Sequence, residues 1–327
     1  MRTWRVALFL GVVRRMYENV YRREAMSSAE VIEQLKQRGM SIPRLAEAEA
    51  VLERLNYYRL SAYWHQYLVL EEVDASFRPG TSFDDVIDHY DYDQRLRELV
   101  WLRLEVIEVA LRRSFACLLA QRYGPFPHLH PQLFANRDSW TKSHIGIQSD
   151  YRRANEEFVK HHSKTYPDLI LPPIGAVVEC VSFGALVSLL RNLAARRDRN
   201  LVSREFGLDE TVLLGFLQQL VQVRNICAHH GRLWNRQFSF AAKIPHQIAL
   251  SHVDLFNRAP GAQRRMFNIL VIIDFLEMRI KGRSSLLSDF SRIVSRMPHD
   301  VLSHMGAPHG ALARIEASQT SPLLPTD

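Results

Sequence analysis

Apolar residues recur at helical intervals along most of this chain. Ser27 and Glu30 form a capping box, and Val31, Ile32 and Leu35 then run to Gly39, predicting a short first helix. A second helix starts near Leu45 with Ala50, Val51, Leu52 and Leu55, and it meets the aromatic group Tyr57, Tyr58, Tyr63, Trp64 and Tyr67. Phe77 to Gly80 reads as a turn. Ser82, Asp84 and Asp85 cap a long or slightly broken helix. It sets Leu96, Val100, Leu104, Ile107, Leu111, Phe115 and Leu118 on one face and ends at Gly124-Pro125.

Residues 125–147, rich in His, Pro, Asn and Asp, read as a long connection, and Asp150 to His162 as a polar helix. Pro172-Pro173 breaks the chain before the apolar run Ile174 to Val181, and Phe183-Gly184 opens another helix through Leu193. Leu213, Phe216, Leu217, Leu220 and Val223 then have the spacing of one buried helical face, which carries through Cys227. Beyond Arg236, the residues Phe238, Phe240, Ile244 and Pro245 lie in an irregular segment. Met266 to Ile280 is an apolar helix and Leu286 to Met297 an amphipathic one. From Pro298, few apolar residues occur before Leu323-Leu324, so 298–327 reads as a flexible tail. With no repeat, no phosphate-binding glycine loop and no strand-rich block, the expectation is all-α, with one domain over 26–297.

Composition narrows the class. At 327 residues and 47% hydrophobic content the chain has ample material for a core. Cys117, Cys180 and Cys227 are far apart, without metal or redox spacing, as expected of a protein in a reducing cytoplasm. Six arginines against two glutamates put +4 of the +7 net charge in residues 1–25, leaving +3 for the rest, so bulk charge argues only weakly for nucleic acid. The run Val6 to Val13 lacks a cleavage site and is too short to span a bilayer, so residues 1–25 read as a non-native start or an amphipathic arm, with Met26 the more natural beginning.

The chemistry concentrates in Val221 to Arg236. Gly231 is expected to stop the helix in the left-handed conformation, putting His229 and His230 in the last turn, where unpaired carbonyls favour a protonated imidazole. Arg224 and His229 would lie ~140° apart around the helix and ~7.5 Å apart along it, too far for a tight pair. Asn225 and His229 share a face, and Arg224 is long enough to curl toward them. Cleavage of RNA by its own 2'-hydroxyl needs a base, an acid and positive charge on the phosphate; one helix supplies that set incompletely, and two copies across a two-fold axis would complete it. The adjacent histidines point ~100° apart, and with no distant ligand evident no metal or other cofactor is implied.

The run Arg224-Asn-Ile-Cys-Ala-His229 fits the Arg-polar-x3-His motif of the HEPN ribonuclease superfamily. Its extension through His230, Gly231, Arg232, Leu233, Trp234, Asn235 and Arg236 resembles the signature of abortive-infection (AbiD/AbiF-type) phage-resistance proteins. Leu55-Asn-Tyr-Tyr-Arg-Leu-Ser-Ala-Tyr-Trp64, the run Tyr90 to Arg97, Glu108-Val-Ala-Leu-Arg112 and Glu179-Cys-Val-Ser-Phe-Gly184 resemble the same family in the same order, so the likeness covers roughly residues 26–240. It implies a HEPN-like helical bundle with additional helices. It also implies a metal-independent endoribonuclease in phage defence, acting as a homodimer on RNA and restrained by an RNA or protein antitoxin. Arg224, Asn225 and His229 would be catalytic, and His230, Arg232, Trp234, Asn235 and Arg236 would bind RNA or support the site. The alternative is a non-catalytic HEPN-type module that binds RNA or protein in a toxin-antitoxin or phage-sensing system.

Plainer readings stand beside these. Trp234 fits a base-stacking surface or a packing anchor equally well. The ring cluster at 57–67 favours helix packing over base stacking, leaving Tyr58 and Arg59 as minor candidates. Glu108 and Arg112 read as an ion pair one turn apart, with a role in orienting Arg224 as the sharper option. Arg191, Arg196, Arg197 and Arg199 read as a solvated face before they read as an RNA contact. His128, His130, His144, His161 and His162 read as solvated.

Overall fold

The computed structural model describes residues 26–69, 75–241, 243–244, 250–295, 297 and 300–320. The expectations for residues 1–25, Pro245, Pro298 and 321–327 lie outside the described residues. The fold is all-α: the described residues form no β-strand, only isolated bridges such as Leu68 with Phe77. Among them no helix is long and apolar enough to cross a membrane.

The chain divides into two compact units, one ending at Asp91 and the other beginning at Tyr92. In the first, α1 (Ser28–Gln37), α2 (Leu45–Arg54) and α3 (Tyr57–Trp64) precede the start of α4 (Phe83–Tyr123). The capping box forms as its spacing requires: the Glu30 carboxylate accepts the Ser27 amide at 2.7 Å, and Ser27 Oγ accepts the Glu30 amide at 3.3 Å. Ile32, Leu35, Leu60, Tyr63 and Trp64 are buried, with Tyr57 edge-on to Trp64 at 5.1 Å and Tyr63 edge-on to Tyr90 at 5.4 Å. The rings mainly pack, and only Tyr58, 68% exposed, offers a broad surface.

The second unit begins within α4 and continues through α5 (Arg137–Arg153), α6 (Glu157–Thr165), α7 (Ile174–Cys180), α8 (Phe183–Asn192), α9 (Arg196–Glu205) and α10 (Glu210–Ala228). Short α11 (Leu250–Val253) leads to α12 (Met266–Lys281), α13 (Leu286–Val294), α14 (Asp300–His304) and α15 (Ala311–Thr320). Every residue of α12 from Met266 to Glu277 is buried, as expected of a helix enclosed on all sides. The motif helix α10 packs on α8, α9 and α12.

Four expectations change. The connection at 125–147 gives way at Arg137 to α5, capped by Asn136, whose side chain accepts the Ser139 amide at 2.7 Å, and the polar helix expected from Asp150 is split at Ala154. His128 and His162 are buried, because the Trp140 indole reaches back to the His128 carbonyl at 3.1 Å and the Tyr151 hydroxyl bonds His162 Nδ1 at 3.0 Å. The described part of the expected tail is not loose: Val301, Met305, Ala311 and Ile315 are buried, and the Tyr92 hydroxyl meets Met305 Sδ at 2.9 Å.

Candidate active site

Helix α10 begins at Asp209, whose carboxylate accepts the amides of Thr211 at 2.8 Å and Val212 at 3.2 Å. Its buried face of Leu213, Phe216, Leu217, Leu220, Val223 and Cys227 fixes the rotation of the helix. Arg224 is thereby left half-buried, with Asn225 and His229 exposed.

The helix end differs from expectation. His230, at φ 53°, takes the left-handed position expected of Gly231. The His229 amide bonds the Asn225 carbonyl at 3.0 Å, and the Gly231 amide bonds the Ile226 carbonyl at 2.8 Å, the six-to-one closure of a Schellman cap. Gly231 is needed for space instead, since a Cβ there would stand 3.1 Å from Ile226 Cγ2.

The chain beyond the cap is held by α4. Asp93, fully buried, pairs with Arg97 one turn along and accepts the amides of Leu233 at 3.1 Å and Trp234 at 2.6 Å. Arg97 also reaches the Gly231 carbonyl at 3.4 Å. Neither residue was singled out from sequence; the available signal was two opposite charges four apart on the buried face of a long helix, inside the run Tyr90 to Arg97. Trp234, 0% exposed, sets its indole edge-on to His304 at 5.7 Å, so it is a packing anchor and presents no stacking surface. Asn235, also left-handed at φ 49°, accepts from Arg265 at 3.1 Å, and Arg236 bonds the Arg232 carbonyl at 2.8 Å. Arg232, Asn235 and Arg236 are half-buried, with some surface left at the rim.

Arg224 does not curl toward Asn225 and His229. It lies over the Trp101 ring at 5.5 Å and stands 3.5 Å from Glu108, because α4 presents an aromatic face and a carboxylate to it. Glu108 also accepts from Arg112 at 2.7 Å, and Arg112 extends to the Val181 carbonyl at 3.0 Å and toward Glu179 at 3.7 Å. Trp101, Glu105, Glu108, Arg112 and Arg224 line an open cleft of about 210 Å³. The Glu108–Arg112 pair thus belongs to the surroundings of Arg224. Burial raises the Cys227 thiol to about 12, so beneath the motif it is a neutral apolar filler.

Of the expected basic patch, Arg196 and Arg199 both pair with the buried Glu210, and Arg199 caps the carbonyl of Leu193. They tie α9 to α10. Among the described residues no three His, Cys, Asp or Glu side chains gather as a metal-ligand set.

The comparisons fall on this region. A family model described as Abi-like protein matches residues 50–235, a stretch that includes the whole cleft and the motif through Asn235. No curated protein and no solved structure matches the chain.

Proposed function

Because the chain belongs to the Abi-like, abortive-infection family of phage-defence proteins, we propose that it acts as a metal-independent endoribonuclease whose site is the exposed end of α10. The observation that carries this reading is the partition of α10's last turns. Apolar residues anchor the helix, while Arg224 faces an open cleft and Asn225 and His229 face solvent.

The Arg224 guanidinium has Glu108 as its counter-ion, and that carboxylate is shared with Arg112. A phosphate entering the cleft competes for a guanidinium that Glu108 holds only at 3.5 Å, and Arg224 then offsets the charge that develops as the 2'-oxygen attacks phosphorus. His229 takes the 2'-hydroxyl proton or supplies one to the leaving 5'-oxygen, with Asn225 one turn below to orient it. One protomer offers His229 for one of these two transfers, and the partner's copy takes the other across a two-fold axis. The products are a 2',3'-cyclic phosphate and a 5'-hydroxyl. A nuclease of this kind has to be restrained in the uninfected cell, so an RNA or protein antitoxin belongs to the same reading.

The test is cleavage of a mixed cellular RNA pool in chelator by wild type, Arg224→Ala and His229→Ala, with analysis of the new ends. Cyclic-phosphate ends from wild type and from neither variant support the reading. Binding of RNA without cleavage by folded wild type replaces it with the non-catalytic module.

A further inference from the structure

Helix α4 leaves an uncovered strip along one wall of the Arg224 cleft, which Trp101, Glu105 and Val109 also line. Trp101, Leu102 and Val109 are 41%, 58% and 57% exposed, so three large apolar side chains meet solvent within about two turns of one helix. Glu98, Leu102, Glu105, Val109 and Arg113 fall within an arc of about 80° on the helix surface, so they form one line of side chains.

The order along that line is what identifies its occupant. Leu102 and Val109 are centred between Glu105 and Val106, and Glu98 and Arg113 share the same centre. An antiparallel copy of the helix, turned about an axis through that point, would lay Leu102 on the second Val109 and Glu98 on the second Arg113, each contact made twice. A partner of other sequence has no reason to match this arrangement, whereas a two-fold contact requires self-complementarity.

We propose that this face of α4 is the contact between two copies of the chain, with Glu98 paired to the partner copy's Arg113 and Leu102 packed on its Val109. The proposal rests on the reading of the site as one completed across a two-fold axis, and it deepens that reading by naming the surface. Arg113 already pairs with Glu205 at 2.8 Å, yet its side chain remains 66% exposed and its guanidinium has donors to spare for a second carboxylate. Glu105 stands close to the axis, where two carboxylates repel each other. Arg112 and Arg224, lining the same cleft, supply the offsetting charge. Because Glu105 and Val109 also line the Arg224 cleft, the contact would set the two clefts against each other across the axis, so RNA would reach both Arg224 side chains along the seam.

Sedimentation analysis of the full chain over a range of concentrations tests this, with Glu98→Arg, Arg113→Glu, their combination, and Leu102→Glu, each shown folded by thermal unfolding. Wild type is expected to dimerise. Either single charge reversal should weaken the dimer about tenfold or more, the combination should restore most of that loss, and Leu102→Glu should be monomeric. A wild type that stays monomeric, or single reversals that associate as well as wild type, would overturn the proposal. RNA cleavage measured on the same samples separates it from the functional reading. A dimer that follows this pattern without cleaving RNA supports the interface and sinks the ribonuclease, while cleavage by a protein that dimerises regardless of these substitutions does the reverse.

Discussion

Asp93 accepts the backbone amide of Trp234 at 2.6 Å across 141 residues of sequence. That bond, with the amide of Leu233 and the guanidinium of Arg97 on the same carboxylate, fixes where the chain goes after the motif helix. Asp93→Ala takes a buried carboxylate away from the buried Arg97 and frees two buried amides. The expected loss is about 3–5 kcal/mol in denaturant unfolding. A loss under about 1 kcal/mol would show that the clamp is not what holds the segment.

His230 carries backbone strain that a smaller residue relieves. A non-glycine residue at φ 53° is unfavourable, so His230→Gly should hold or raise stability by up to about 1 kcal/mol. His230→Ala should lower it, since alanine has the same steric problem without a polar side chain to bond locally. If the glycine variant unfolds more readily than wild type, the imidazole's contacts outweigh the strain. RNA cleavage by the same variant then reports whether His230 has a part in the chemistry beyond shape.

The helix bearing the motif was legible in sequence because its apolar period is strong, and Leu213, Phe216, Leu217, Leu220 and Val223 are all buried as that period demands. Its last turn was less so. Glycine's preference for the left-handed conformation is statistical, and here the six-to-one closure onto Ile226 places that conformation one residue earlier. The direction of Arg224 was not legible at all, since it depends on Trp101 and Glu108 of another helix. Burial of His128 likewise follows from Trp140 folding back on it, and docking of residues 300–320 from a few apolar positions, Val301, Met305 and Ile315, set among Gly, His and Pro.

Reactivity toward thiol reagents should divide the cysteines. Cys117 is exposed and Cys227 buried, the latter with its thiol raised to about 12 by loss of solvent. In the native protein Cys117 should be labelled promptly by a water-soluble disulfide reagent and Cys227 only after denaturant is added. Native-state labelling of Cys227, read by peptide mass, would mean that the end of α10 opens on the timescale of the reaction.

Acid should weaken the fold through His128. Its ring is buried, both nitrogens lack a hydrogen-bond partner, and its pKa falls to about 4, chiefly by desolvation and then by His144 and His130. The folded state therefore binds the proton less readily than the unfolded chain, whose histidine titrates near 6.5. Stability from this group is fully present above about 6.5 and is lost as pH falls toward 4, by at most about 3 kcal/mol. Urea midpoints at neutral and mildly acidic pH should differ more for wild type than for His128→Leu. Equal slopes in the two proteins would remove His128 as the cause.

Arg224 offers the sharpest division between charge and shape. Arg224→Ala removes the only guanidinium on the outer face of α10's last turns, and cleavage should fall by about 10²–10³ if it faces the developing phosphorane charge. Arg224→Lys keeps the charge, but it loses the planar fork that can lie over Trp101 while reaching a phosphate, so it should recover only a small part of the rate. Glu108→Gln separates holding from chemistry. It removes the carboxylate charge shared by Arg112 and Arg224, so RNA binding should be kept or tightened while the rate falls by roughly tenfold, because the guanidinium is no longer oriented. Lysine restoring full activity would reduce Arg224 to a point charge, and an unchanged rate in Glu108→Gln would detach the Glu108–Arg112 pair from the reaction and leave it as a tie between α4 and the carbonyl of Val181.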